Sequence, residues 1–137
     1  MQHTIGSLLW QVGSVMEKQS DAIVFNELGI GYAQFKILHL LLYSDGKPQN
    51  YIAHELGQSE ASISRQIKLL KQAGFIELHR PENNKKEHVI SLSDKGAQAA
   101  EDALAVLNRY HAPILAVLDE SQQSQLHALL SLIKTRL

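Results

Sequence analysis

In the stretch Ser59-Glu60-Ala61-Ser62-Ile63-Ser64-Arg65, three short hydroxyl side chains and one guanidinium fork lie close together, and Lys68 follows within a turn. Hydroxyls and a planar guanidinium are groups that read base edges and grip phosphates in a DNA groove. Spacing matters as much as type here. Ser59 is a good helix N-cap, and Ile63, Ile67, Leu69 and Leu70 supply an inward side to the helix that follows. The N-terminal end of that helix would then present Ser59, Glu60, Ala61, Ser62, Ser64, Arg65 and Lys68. A major groove about 12 Å wide admits one such helix if this end is small or polar. The same serines equally suit an amphipathic helix that merely faces water, and the segment alone leaves both readings open.

Other chemistries find less support. Of the seven histidines, His54 comes nearest a zinc-protease pattern, but the position four residues on is Gln58. No two histidines stand three or four apart, so no single helix face offers a ligand pair; only convergence in space, for instance of His39 with His111, is left. No metal or cofactor is expected. Gly29-Ile30-Gly31 lacks the third glycine and the preceding strand of a dinucleotide fingerprint, and no serine sits in a Gly-x-Ser-x-Gly elbow. Glu101-Asp102 and Asp119-Glu120 read as solvated helix-start charges. The chain is not expected to be an enzyme.

The elements that must position the Ser59–Lys68 segment follow from periodicity. Ile5, Leu8, Leu9, Val12, Val15 and Met16 mark a long first helix that runs towards Phe25 or Leu28, where Gly29-Ile30-Gly31 breaks it. A second, very apolar helix is expected over roughly Ala33 to Tyr43. Ser44-Asp45-Gly46-Lys47-Pro48 is dense in turn chemistry. A short third helix around Tyr51, Ile52 and Leu56 is closed by Gly57. After the fourth helix ends at Ala73-Gly74, the period drops to two. Ile76 and Leu78, then Ile90 and Leu92, alternate with polar residues around the polar, basic tip Pro81-Glu82-Asn83-Asn84-Lys85-Lys86, which predicts a two-stranded hairpin. Ser93-Asp94 caps a further helix with Leu104, Leu107, Ile114, Leu115 and Leu118 on one side, and Pro113 should kink or divide it. Asp119-Glu120-Ser121 starts a last helix.

Composition sets the frame. Of 137 residues, 45% are hydrophobic and 20% charged, the balance of a folded chain rather than a disordered one. No apolar run approaches the ~18 residues of a membrane span, and no signal peptide is read at the start. Cysteine is absent, which excludes disulfides, thiolate metal sites and thiol redox sensing, and fits a reducing cytoplasm. Net charge is −1, yet the seven basic residues between Gln58 and Gly96 outnumber the five acidic ones. A locally basic segment in a mildly acidic frame permits a phosphate-facing surface.

Taken in order, the pieces resemble the multiple-antibiotic-resistance regulator (MarR) family of winged-helix transcription factors over nearly the whole length. The resemblance rests on Gln34-Phe35-xx-Leu38, Ile52-Ala53-xx-Leu56-Gly57, Ser59-xx-Ser62-Ile63-Ser64-Arg65 with Leu70, Gly74-Phe75-Ile76, and Ile90-Ser91-Leu92-Ser93-xx-Gly96. It implies a dimeric repressor or activator of transcription whose first and last helices build the dimer. Ile5, Leu8 and Leu9 of the first helix, and Leu126, Leu129, Leu130, Ile133 and Leu137 of the last, are the expected contacts. One departure stands out: where the family's wing carries Asp-Arg-Arg, this sequence reads Asn84-Lys85-Lys86. The charge persists without the bidentate fork, so the wing is expected to attract phosphates more than to read shape.

The expected fold is mostly α with a small β-hairpin wing: a winged helix-turn-helix with N- and C-terminal dimerisation helices. One domain spans residues 1–137, with a DNA-binding lobe at about 32–96 and dimerisation helices at about 1–28 and 97–137. The expected function is sequence-specific binding of double-stranded DNA by a cytoplasmic homodimer, as a ligand-responsive repressor at a near-palindromic operator. The rivals are a winged helix used for protein contact and a small-molecule-binding helical protein without DNA affinity. A ligand crevice near Trp10, Tyr32, His39, Tyr43 and His111 would suit a small aromatic or anionic effector, as the family resemblance implies.

Overall fold

The computed structural model of the chain describes residues 3–83 and 88–137. Its elements are α1 (Ile5–Leu28), α2 (Tyr32–Leu41), β1 (Lys47–Pro48), α3 (Gln49–Leu56), α4 (Glu60–Gln72), β2 (Ile76–His79), β3 (Val89–Leu92), α5 (Asp94–Leu115) and α6 (Glu120–Lys134). The mostly helical class with a small antiparallel sheet agrees with the sequence. The described residues fall into two compact units that divide between Val106 and Leu107.

In the first unit, α1 and α2 form an antiparallel pair tied at two levels. Asp21 Oδ1 accepts from the Tyr32 backbone N at 2.9 Å, and the Lys36 ammonium meets Glu17 Oε1 at 2.8 Å. Asp21 thereby satisfies one of the free amides at the start of α2, whose N-cap residue, Gly31, has no side chain to do so. The apolar run of α2 buries Phe35, Ile37, Leu38 and Leu41 in one core with Val24 of α1, Ile52 of α3, Ile63, Ile67 and Leu70 of α4, and Ile76 and Ile90 of the sheet, all of them buried.

The sheet has three strands in the order β1-β3-β2, not the two expected. Ile76 pairs with Leu92 and Leu78 with Ile90, as the alternation implied, while Lys47 and Pro48 add themselves to the other edge of β3 opposite Ile90 and Val89. A proline is tolerated there because an edge strand leaves its missing donor facing away from the ladder.

Two further expectations are corrected. Leu69 is 48% exposed: the inward stripe of α4 is Ile63, Ile67 and Leu70, and position 69 is turned about 100° away from Leu70. On α5 the buried stripe is Gly96, Ala100, Ala103 and Leu107, whereas Ile114 and Leu115 are exposed. Pro113, expected to kink or divide this helix, falls in the last turn of α5, which ends two residues later.

The second unit holds the end of α5 and all of α6. A capping box starts α6, with Asp119 Oδ1 accepting from Gln122 N at 2.8 Å and Gln122 Oε1 accepting from Asp119 N at 3.0 Å. Gln123 Nε2 donates to both Leu115 O and Leu118 O, binding the turn to the helix that follows. No residue of α6 is buried. An open groove of about 550 Å³ is lined here by Leu115, Gln123, Ser124, Leu126, His127 and Leu130.

Candidate nucleic-acid interface

The α3–turn–α4 unit is built by local chemistry. Ile52 and Ala53 anchor α3 in the core. Gly57 closes that helix at φ 62°, a left-handed conformation that a side chain would strain, and Gln58 N donates back to Ala53 O at 3.0 Å. Two residues later Ser59 caps α4, its Oγ accepting from Ser62 N at 3.1 Å. Gln49 Nε2 of α3 donates to Glu60 O at 3.2 Å, which ties the first turns of the two helices together. The angle of α4 is therefore set from both its core face and its N-terminus.

This frame sorts the seven residues expected to face DNA. Ala61, Ser64, Arg65 and Lys68 are exposed and recur at i, i+3, i+4 and i+7, on the side of α4 opposite Ile63, Ile67 and Leu70. Arg65 and Lys68 make no hydrogen bond or ion pair among the described residues, so both cationic ends are available to a partner. Ser59 is exposed, but its oxygen serves as the cap. Ser62 is half-buried and donates to Gln58 Oε1 at 3.3 Å. Glu60 is exposed in the first turn, where the helix dipole favours a carboxylate. The protruding stripe is thus a small residue, a hydroxyl and two cations.

Of the expected wing residues, Asn84, Lys85 and Lys86 lie outside the described residues. At the base of the hairpin, Arg80 follows the last residue of β2, and its Nε and Nη2 stand 3.4 and 3.3 Å from His88 Nε2. Arg80 is absent from the expected site residues. Its only signal in the sequence is a cation one step past the alternating run.

The residues of the expected ligand crevice are dispersed in their settings. Tyr32, Phe35 and His39 stack along α2 with centroid separations of 5.6 and 5.5 Å. Tyr32 also lines a groove of about 370 Å³ with Ser14, Glu17, Lys18, Asp21 and Ala33. Trp10 and Tyr43 are 70% and 83% exposed, and His111 belongs to the second unit. Among the described residues no group of three or more His, Asp or Glu side chains could hold a metal ion.

The side chains expected at a dimer contact all stand open in the single chain. Ile5, Leu8 and Leu9 of α1 are 74%, 47% and 43% exposed, and Leu126, Leu129, Leu130 and Ile133 of α6 are exposed as well. Leu137, three residues beyond the end of α6, is more exposed than any of these. Among the described residues no helix is long and apolar enough to cross a membrane.

Comparison with known proteins bears on this arrangement. Residues 28–87 match the model of the MarR family. The HTH-type transcriptional regulator BilQ of Clostridium symbiosum is 30% identical over 97 residues, which is 69% of this chain and 67% of that protein. Among solved structures, wild-type MarR of E. coli in its apo form is similar with a TM-score of 0.84 at 19% identity, covering 97% of this chain and 98% of the other. The S. aureus MepR–DNA complex gives 0.78 at 20% identity over 99% and 100% of the two chains. A Mycobacterium tuberculosis MarR family protein in complex with salicylic acid gives 0.78 at 23% identity, over 96% and 97%. At these identities the structural likeness is one of fold.

Proposed function

The chain belongs to the MarR family of transcriptional regulators, and from that premise we propose that it is a homodimeric repressor that reads a near-palindromic operator in double-stranded DNA. The observation that carries this reading is the exposed stripe Ala61, Ser64, Arg65 and Lys68 on a helix whose opposite side is locked into the core. Arg65 is assigned to a base edge, as the one arginine of α4. Lys68 is assigned to a phosphate, together with Lys85 and Lys86 of the wing. Residues 32–96 form the DNA-binding lobe in this reading, and the segments at 1–28 and 97–137 the dimer.

Pairing is supported by the exposed apolar side chains of α1 and α6, too many to leave in water on a stable monomer. Two-fold symmetry would set two recognition helices about 34 Å apart, one turn of duplex, which is why the operator should be near-palindromic. A small aromatic or anionic effector is proposed to act on the dimer in the cytoplasm, as a salicylic acid complex of a relative suggests. Such a compound changes DNA affinity only by the ratio of its own affinities for two dimer geometries.

Selection of duplexes from a random-sequence pool, followed by titration at several salt concentrations, tests the reading. A near-palindromic motif with half-sites one turn apart is the expected result. Salt-dependent binding that enriches no sequence would remove the specific regulator. Absence of duplex binding would favour a winged helix used for protein contact.

A further inference from the structure

The motif Ser93-xx-Gly96 plays no part in the stripe that faces DNA, yet it is set against the far end of the reading helix. Ser93 Oγ donates to Gly74 O at 2.6 Å, Lys95 Nζ donates to Ala73 O at 2.7 Å, and Ser93 N donates to Phe75 O at 3.0 Å. The Lys95 ammonium also lies 4.7 Å from the centroid of the Phe75 ring. Gly96 is buried on the same carbonyl: a Cβ built there would overlap Phe75 O. Its backbone N donates to Ser93 Oγ at 3.1 Å, which orients the hydroxyl. Three consecutive carbonyls, at the end of α4 and the entry to β2, are thus held by Ser93 and Lys95 at the start of α5, with Gly96 packed on the last of them.

Charge placement points the same way. Lys95 stands in the first turn of α5, where that helix's own dipole disfavours a cation. Its ammonium instead reaches the negative end of α4, where the dipole favours it. Carbonyls at a helix end otherwise go to water or to a cap of their own chain segment. Here they go to a segment about twenty residues away, directly after the second wing strand.

Building on the assignment of α4 to DNA, we propose that Ser93, Lys95 and Gly96 are positioning residues for DNA recognition. They clamp the C-terminal end of α4, and the backbone leading into the wing, to the first turn of α5. The tilt that aims Arg65 is then fixed from both ends of α4: by Gln49 and Ser59 at one end, and by the clamp at the other. A displacement of α5 would reach the reading helix through these bonds.

The test uses Lys95→Met, which keeps the aliphatic stem over Phe75, and Ser93→Ala with Ser93→Thr as its rescue. On the free protein, amide exchange over residues 70–79 should quicken about tenfold in the first two variants and return towards wild type in Ser93→Thr. On a duplex selected by the wild-type chain, the same two should lose roughly tenfold more affinity than on a scrambled duplex, with the salt slope unchanged. Unchanged exchange would overturn the clamp. So would equal losses on both duplexes with a flattened slope, which would make Lys95 a phosphate contact. A wild-type chain that enriches no duplex overturns the DNA reading and this inference with it; one that does, with variants that match it, overturns this inference alone.

Discussion

Replacing Arg65 with alanine separates base reading from phosphate attraction. Each α4 carries one arginine, so the proposed dimer on two half-sites would lose two forks at once. At ~1–3 kcal/mol of discrimination per bidentate arginine–guanine contact, the pair accounts for about 2–6 kcal/mol, roughly thirtyfold to more than ten-thousandfold in specific affinity. Folding should barely register the change, because Arg65 is exposed and bonds to nothing among the described residues; stability should hold within about 0.5 kcal/mol. The assay is competition binding on a selected duplex and a scrambled one, with the thermal midpoint measured alongside. Lys68→Ala, one turn along the same stripe, is the internal control. It should weaken both duplexes alike and flatten the log–log salt slope by about 0.9 for each phosphate no longer neutralised. If Arg65→Ala behaves like Lys68→Ala, with equal losses on both duplexes, then Arg65 grips a phosphate and the assignment of base reading to it is wrong.

Three other outcomes are expected. Alanine at both Lys85 and Lys86 should flatten the salt slope by about 0.9 for each phosphate the wing ceases to neutralise, and an unchanged slope would take the wing tip off the DNA. Leu130→Asp on α6 should shift the chain from dimer to monomer in sedimentation at micromolar concentration and weaken operator binding with it; a wild-type chain that sediments as a stable monomer would refute the dimer. Titrating salicylate against the protein–operator complex should release DNA, with a coupling of ~1–3 kcal/mol. Peroxide should not release it, since the chain has no cysteine to oxidise; release by peroxide alone would overturn control by reversible ligand binding.

The helix-turn-helix was legible because its determinants are local. Gly57, the Ser59 cap and the Ile63–Ile67–Leu70 stripe each act over a few residues, and each is found where its chemistry requires. Leu92 and Ile90 opposite Ile76 and Leu78 likewise declared the hairpin by alternation. What escaped has a common cause. The strand Lys47–Pro48 is two residues long and composed like a turn, so only its partner β3 reveals it. The buried side of α5 begins with Gly96, Ala100 and Ala103, which give a weaker apolar signal than the leucines further along the helix. The bonds from Ser93 and Lys95 to Ala73 and Gly74 span about twenty residues, and no periodicity predicts them. Among the expected site residues, the division of the serines into cap, half-buried donor and exposed donor depended on the helix phase around Ser62, which the structure supplies.

The bareness of α6 makes protein abundance a folding variable. A helix of 15 residues is marginal on its own in water, and this one buries none of its side chains in the single chain. In the proposed dimer a second copy of the chain would cover Leu126, Leu129, Leu130 and Ile133, and that cover would depend on the chain's concentration. Melting temperature should rise as the protein is concentrated. In the proposed dimer, a cell that halves expression of the chain would lose more than half of its paired copies.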